Sequence, residues 1–206
     1  MKIIYEDSDL LVIDKLSGVN SDDFEKRVHR LDKDTSGVLL VAKNDEALKF
    51  FQKQFQEKKV KKQYIALVAG HLKLKTYTLE TLISRSPNDR RKQKAFLNFG
   101  SGAEGTRTAK TIFRVLQSFA DYDLIEAEPH TGRKHQIRAQ LTYLGHPIAG
   151  DKLYGFKGQI CPKGLKRQFL HSNFLKIQLP NGETKEFTSE LPQDLKDIIN
   201  NLKIDN

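Results

Sequence analysis

The chain has 206 residues, 38% of them apolar and 30% charged, a mixture that suits a folded globular domain and argues against a disordered chain. No run of about 18 apolar residues occurs, so no segment reads as a membrane-spanning helix. Thirty-five Lys and Arg against 26 Asp and Glu give a formal charge of +9, which implies either a polyanionic partner such as RNA or a lysine-rich solubilising surface. Cys161 is the only cysteine, which excludes an intrachain disulfide and a Cys-based zinc site. The first residues reach Glu6 and Asp7 too soon for a secretory signal, so the cytoplasm is the expected compartment, with no membrane association.

In chain order, Ile3 to Tyr5 and Leu10 to Ile13 are short β-branched runs followed by turn residues and read as strands. A polar stretch from Asn20 to Arg30 precedes Val38 to Ala42, a buried-strand pattern. Asn44 or Asp45 can cap a helix bearing Ala47, Leu48, Phe51 and Phe55, with the cations of Glu57 to Lys62 at its C-terminal dipole. Tyr64 to Val68 is a strand closed by Gly70, and Tyr77 to Ile83, Ala95 to Phe99, Ala109 to Leu116 and Tyr122 to Ala127 continue the β pattern. Between them lies a basic connection carrying Arg85, Arg90, Arg91, Lys92 and Lys94. A helix is expected from about Arg133 to Leu144, with Ile137, Leu141 and Leu144 as its core stripe and Gly145 as its stop. Asn181-Gly182 marks a hairpin between Phe174 to Leu179 and Lys185 to Phe187, and Leu191 to Leu202 is a final amphipathic helix. These elements predict an α/β (α+β) domain built on a mixed, largely antiparallel central sheet flanked by helices, a single domain over residues 1–206.

Two segments concentrate chemistry. His29-Arg30-Leu31-Asp32-Lys33-Asp34-Thr35-Ser36-Gly37 crowds opposite charges into a turn before a buried strand. Alone it fits an Asx-type turn, and a calcium loop only poorly, because the final ligand position holds Lys43. His130-Thr131-Gly132-Arg133-Lys134-His135-Gln136-Ile137-Arg138 places His135 and Arg138 three apart, on one face if the segment is helical. That face could be merely solvated, or could present cations to an anion. Zinc binding by His130 and His135 fits no ligand spacing, and Thr106-Arg107 after the Gly100 to Gly105 stretch excludes a P-loop.

Together these segments resemble the RluA family of RNA pseudouridine synthases. His29 to Lys43 is similar to the family signature, Lys62-Gln63-Tyr64-Ile65-Ala66-Leu67-Val68-Ala69-Gly70 to its tyrosine-bearing strand, and Thr131 to Arg138 to its third motif. Leu144 to Gly155 and Phe169-Leu170-His171-Ser172 continue the match in the same order. Two departures stand out: Leu16 replaces a proline in Lys15-Leu16-Ser17-Gly18, and the interval from that turn to His29 is short.

The resemblance implies a catalytic domain without a separate N-terminal RNA-binding domain. It further implies an isomerase that converts uridine to pseudouridine in ribosomal or transfer RNA with no cofactor and no metal. Asp32 would be the essential carboxylate, either attacking C1′ or taking the C2′ proton. Arg138 would keep it ionised, because a neighbouring guanidinium offsets the desolvation that raises a buried acid's pKa. Tyr64 would stack on the uracil, a platform worth ~1–3 kcal/mol. Arg30 would brace the stack vacated by the flipped base, or else contact a phosphate. His29, Thr35, His135 and Ile137 are assigned to the substrate pocket, and Arg85, Arg90, Arg91, Lys92 and Lys94 to RNA phosphates, with ordinary surface charge as the alternative for that cluster. RNA is the expected partner, with no obligatory protein partner and a monomeric state. The alternative is a non-catalytic RNA-binding or RNA-folding factor on the same scaffold.

Overall fold

Alternating and β-branched runs outnumber helical ones in this sequence, and strands dominate the computed structural model, which describes residues 1–97 and 105–204. The elements are β1 (Lys2–Glu6), β2 (Leu10–Lys15), β3 (Ser36–Ala42), α1 (Asp45–Gln56), β4 (Lys61–Ala69), β5 (Thr76–Arg85), β6 (Gln93–Phe96), β7 (Arg107–Phe119), β8 (Tyr122–Pro129), α2 (Gln136–Tyr143), β9 (Leu170–Gln178), β10 (Thr184–Thr188) and α3 (Gln193–Asn200). The architecture is mixed α+β with largely antiparallel strands, as the pattern predicts. No helix among the described residues is long and apolar enough to cross a membrane.

The chain divides into two compact units. The first comprises residues 1–64 and 170–192. Its strands run in the order β1-β2-β3-β9, with β10 paired to β9 through the expected Asn181-Gly182 turn. The pairings of β1 with β2, β2 with β3 and β9 with β10 are antiparallel, whereas β3 and β9 run parallel at Ser36 opposite His171 and Gly37 opposite Ser172. Strand β3 is buried on both faces, which explains its nearly unbroken apolar run. Val38 and Leu40 join Leu10, Val12, Phe51, Leu175 and Phe187 in one core. Leu39 points the other way, into a smaller cluster with Ile13 and Leu31, against which Tyr64 packs. Asn44 caps α1 by accepting the Ala47 N–H at 2.8 Å, one of the two caps expected.

The expected cations reach the end of α1 only in part, as Lys58 and Lys59 follow its C-cap Glu57. The helix ends at Gln56, Lys58 turns the backbone left-handed at φ 59°, and Lys61 and Lys62 already belong to β4. A residue in that conformation cannot continue a right-handed helix, so the run is spent on the turn and the next strand.

The second unit comprises residues 65–169 and 193–206. Here β8-β7-β5-β6 form an antiparallel meander, with a bulge in β7 between Val115 and Gln117. Helix α2 packs on β5 and β6, with Ala139 meeting Ile83, Ala95, Ala109 and Tyr154. Strand β6 stops at Phe96, whereas the sequence pattern carries it to Phe99, and residues 98 and 99 lie outside those described. The Gly100 to Gly105 stretch lies mostly outside them too. Of the expected α2 stripe, Ile137 and Leu141 are buried and Leu144 is only partly so.

Candidate active site

In the first unit, the loop that carries Asp32 is fixed from several sides. Lys15 ends β2 fully buried, and its ammonium donates to the carbonyls of Leu16 at 2.9 Å, Val19 at 2.8 Å and Lys33 at 3.0 Å. The Gly18 N–H also donates to the Lys33 carbonyl, so the turn bearing Leu16 and the Asp32 loop are pinned together. Ser21 substitutes for a strand partner: its hydroxyl donates to the Leu31 carbonyl at 2.9 Å and accepts the Leu31 N–H at 3.0 Å. The chain then turns as the Thr35 N–H donates to the Asp32 carbonyl at 3.0 Å.

Gly37 is required where this turn enters β3. Its φ is +114°, and a Cβ there would lie 2.1 Å from the Ser172 carbonyl oxygen. One residue earlier, the Ser36 hydroxyl meets Nδ1 of the buried His171 at 2.9 Å, and Nε2 of that ring donates to the Ser189 carbonyl at 3.0 Å. Loop, β3 and β9 are therefore held as one rigid piece, leaving Asp32 partly exposed and Thr35 buried.

Tyr64 lies beside this loop, in the same cluster as Leu31. Burial pushes its phenol up to about 12; the negative charge of Asp32 adds to the shift and a hydrogen bond with Ser172 opposes it. Asp32 and Tyr64 are thus electrostatic neighbours, with the tyrosine neutral at any physiological pH. Arg30 is exposed, 3.9 Å from Asp22, which pairs more closely with Arg27 at 2.8 Å. His29 is stacked on Phe55, with ring centroids 4.9 Å apart and planes 16° from parallel.

The second unit holds Arg138 with comparable rigidity. Helix α2 starts at Gln136 rather than near Arg133, because His135 is left-handed at φ 54° and the Gln136 side chain organises the turn before it. Gln136 Oε1 accepts from the Thr131 hydroxyl at 2.7 Å and the Arg133 N–H at 3.0 Å, while its Nε2 donates to the Lys110 carbonyl and the Thr111 hydroxyl. One turn on, fully buried Gln140 bonds Thr111, Thr81 and the Ala109 carbonyl. His135 and Arg138 therefore do not share a helix face, because His135 stands before the helix, while Ile137 is buried as the core stripe requires.

His135 and Arg138 meet on Tyr154 instead. Arg138 forms a bidentate ion pair with buried Asp151, Nε to Oδ2 at 2.6 Å and Nη2 to Oδ1 at 2.9 Å. The guanidinium carbon lies 4.8 Å from the Tyr154 ring centroid, and Asp151 Oδ1 also accepts the N–H groups of Leu153 and Tyr154. The Tyr154 hydroxyl meets His135 Nδ1 at 3.0 Å and accepts the Gln93 N–H at 2.6 Å. Gln93 opens β6, between Lys92 and Lys94 of the basic connection.

Within that connection the cations differ. Arg91 is tied to Asp89 through two hydrogen bonds, and that contact holds the Asp89 carboxyl down to about 2. Lys92 lies 6.0 Å from the Tyr154 ring centroid, whereas Arg85, Arg90 and Lys94 are exposed. Asp151, Tyr154, Gln136 and Gln140 escape residue-by-residue reading. Asp151 and Tyr154 do lie in the Leu144 to Gly155 segment that continues the family resemblance, the one signal that could have found them. Among the described residues, no group of three or more His, Cys, Asp or Glu side chains is placed to hold a metal ion.

Comparison with known proteins follows the same segments. Residues 20–143 match the family model described as RNA pseudouridylate synthase. An RNA pseudouridine synthase of Chloroflexus aurantiacus, described as uncharacterized, is 41% identical over 85% of this chain and 53% of its own length. The ribosomal large subunit pseudouridine synthase D of Borreliella burgdorferi is 36% identical over 93% of this chain and 65% of its own. The chain thus spans between half and two-thirds of the length of these two curated relatives. Among solved structures, human RNA pseudouridylate synthase domain containing 1 superimposes with a TM-score of 0.83 at 28% identity, covering 98% of this chain and 88% of that one.

Proposed function

This chain belongs to the RNA pseudouridylate synthase family, of the RluA type, and we propose that it isomerises uridine to pseudouridine within ribosomal or transfer RNA. The observation that carries this reading is the pairing of Asp32 with Tyr64: a partly exposed carboxylate on a braced loop, felt electrostatically by a neutral tyrosine.

The reaction breaks the bond from C1′ to N1, turns the base and joins C5 to C1′. N1 gains a proton and C5 loses one, so atoms and electrons balance without a redox partner. Asp32 is the group that acts at the sugar, by attack on C1′ or by removing the C2′ proton. Tyr64 supplies the ring on which the extruded uracil stacks, which repays part of the roughly few kcal/mol needed to flip the base. Arg138 is assigned to the catalytic set by its place in the third motif. His29, Arg30, Thr35, His135 and Ile137 shape or border the substrate site, with the cations between Arg85 and Lys94 on RNA phosphates. The cytoplasm and a monomeric state complete the proposal.

The direct test is Asp32→Asn, assayed by mapping pseudouridine in ribosomal and transfer RNA after incubation with the purified protein. The variant should keep the native circular dichroism spectrum and form no pseudouridine. Wild-type turnover by the variant would refute the assignment.

A further inference from the structure

Strand β4 alternates its side chains, so Lys62 and Tyr64 project from the same face, about 6.6 Å apart along the strand. That is of the order of one nucleotide of extended backbone. Lys62 places its ammonium 5.7 Å from the centroid of the Phe55 ring, the ring on which His29 is stacked. Neighbouring lysines are compensated differently: Lys59 and Lys53 share Glu57, at 2.7 Å and 3.9 Å. Among the described residues, no carboxylate lies within ion-pairing distance of Lys62.

His29 offers a second donor. The Leu40 N–H donates to its Nε2 at 3.2 Å, and burial, helped by the charge of Lys62, pushes its pKa down to about 3. A neutral imidazole that accepts at Nε2 carries its proton on Nδ1. No acceptor among the described residues meets that N–H. Both side chains are partly exposed, so a ligand can reach them. Both donors therefore flank the Phe55 ring at a partly open site, where an acceptor from outside the chain could meet them.

We propose that His29 Nδ1–H and the Lys62 ammonium form a phosphate-binding pair that grips the RNA backbone one nucleotide from the uridine stacked on Tyr64. The two non-bridging oxygens of one phosphodiester accept from the two donors, and the single negative charge meets the single positive one. The Phe55 ring holds both donors in place before RNA arrives. The proposal rests on the stacking role assigned to Tyr64.

The test uses the full chain and a fluorescein-labelled RNA stem-loop with a uridine in its loop, with affinity measured against salt and pH. Lys62→Met should weaken binding several-fold and flatten the slope of log affinity against log salt by about 0.7–0.9, the loss of one phosphate contact. Lys62→Arg should restore both, and pseudouridine formation at saturating RNA should change little in either variant. Burial alone pushes the Lys62 ammonium down to about 8. Wild-type affinity should therefore be flat below that pH and fall above it, because free Lys62 must then take up a proton to bind. Lys62→Arg should show no such fall. Tyr64 stays neutral to about 12 and His29 to about 3, so neither titrates in that window.

A Lys62→Met protein with the wild-type salt slope would overturn the phosphate site and leave Lys62 as a cover for Phe55. If wild-type protein formed no pseudouridine while the slope still shifted in Lys62→Met, the catalytic reading would fail and the phosphate site would stand.

Discussion

Replacing Asp151 with Asn changes one atom and one charge at the group that holds Arg138. Oriented with its oxygen at the Oδ1 position, the amide still accepts from Arg138 Nη2 and from the N–H groups of Leu153 and Tyr154. At the Oδ2 position its NH2 faces Arg138 Nε–H, donor against donor, where the carboxylate now accepts at 2.6 Å. The lost charge-assisted bond is worth about 1.5–3 kcal/mol, and one-sided disruption of a buried pair sets an upper bound near roughly 5 kcal/mol. A destabilisation of about 2–4 kcal/mol is expected, read by urea unfolding followed by circular dichroism. Single-turnover pseudouridine formation should fall more than RNA affinity, because the guanidinium is loosened while the exposed cations of the β5–β6 connection are untouched. The control is the same substitution in an Arg138→Met background, where it should cost much less. A loss below about 1 kcal/mol, or an equal loss in both backgrounds, would refute the idea that the ion pair is what Asp151 contributes.

Two further outcomes follow from the site. Tyr64→Phe keeps the stacking ring and should retain RNA binding with a rate reduced at most several-fold; complete loss of turnover would assign the chemistry to the hydroxyl beside Asp32. The double variant Arg90→Gln/Lys94→Gln removes two exposed cations and should lower the salt slope of RNA binding by about 1.4–1.8. Arg91→Gln should matter less, because Asp89 already neutralises that guanidinium, and an unchanged slope in the double variant would make the connection incidental to RNA.

Elements set by local pattern were legible in the sequence. The unbroken run of β3 announces a strand buried on both faces, and Asn44 and Asn181-Gly182 announce a cap and a turn through their own side-chain and backbone preferences. Features set by a single backbone angle were not. Left-handed His135 moves the start of α2 from near Arg133 to Gln136, and nothing in the local pattern marks that residue for the turn. The motifs carrying Asp32, Tyr64 and Arg138 could be picked out because they resemble a family, whereas their supports lie far away in sequence. Ser21 on Leu31, Tyr154 on Gln93 and Gln140 on Thr81 are separated by 10, 61 and 59 residues. Spacing rules operate over one or two turns of chain, so such partners emerge only once the strands have been brought into register.

The Tyr154 ring has a consequence for redesign. One face of it supports the arginine of the third motif, while its hydroxyl ties down Gln93, between Lys92 and Lys94 of the basic connection. Anyone rewriting that connection to recruit a different transcript would disturb the footing of Arg138 as well. On the proposed reading, changes in that connection would reach Arg138 through residue 154, so loop exchange should be paired with compensating changes there.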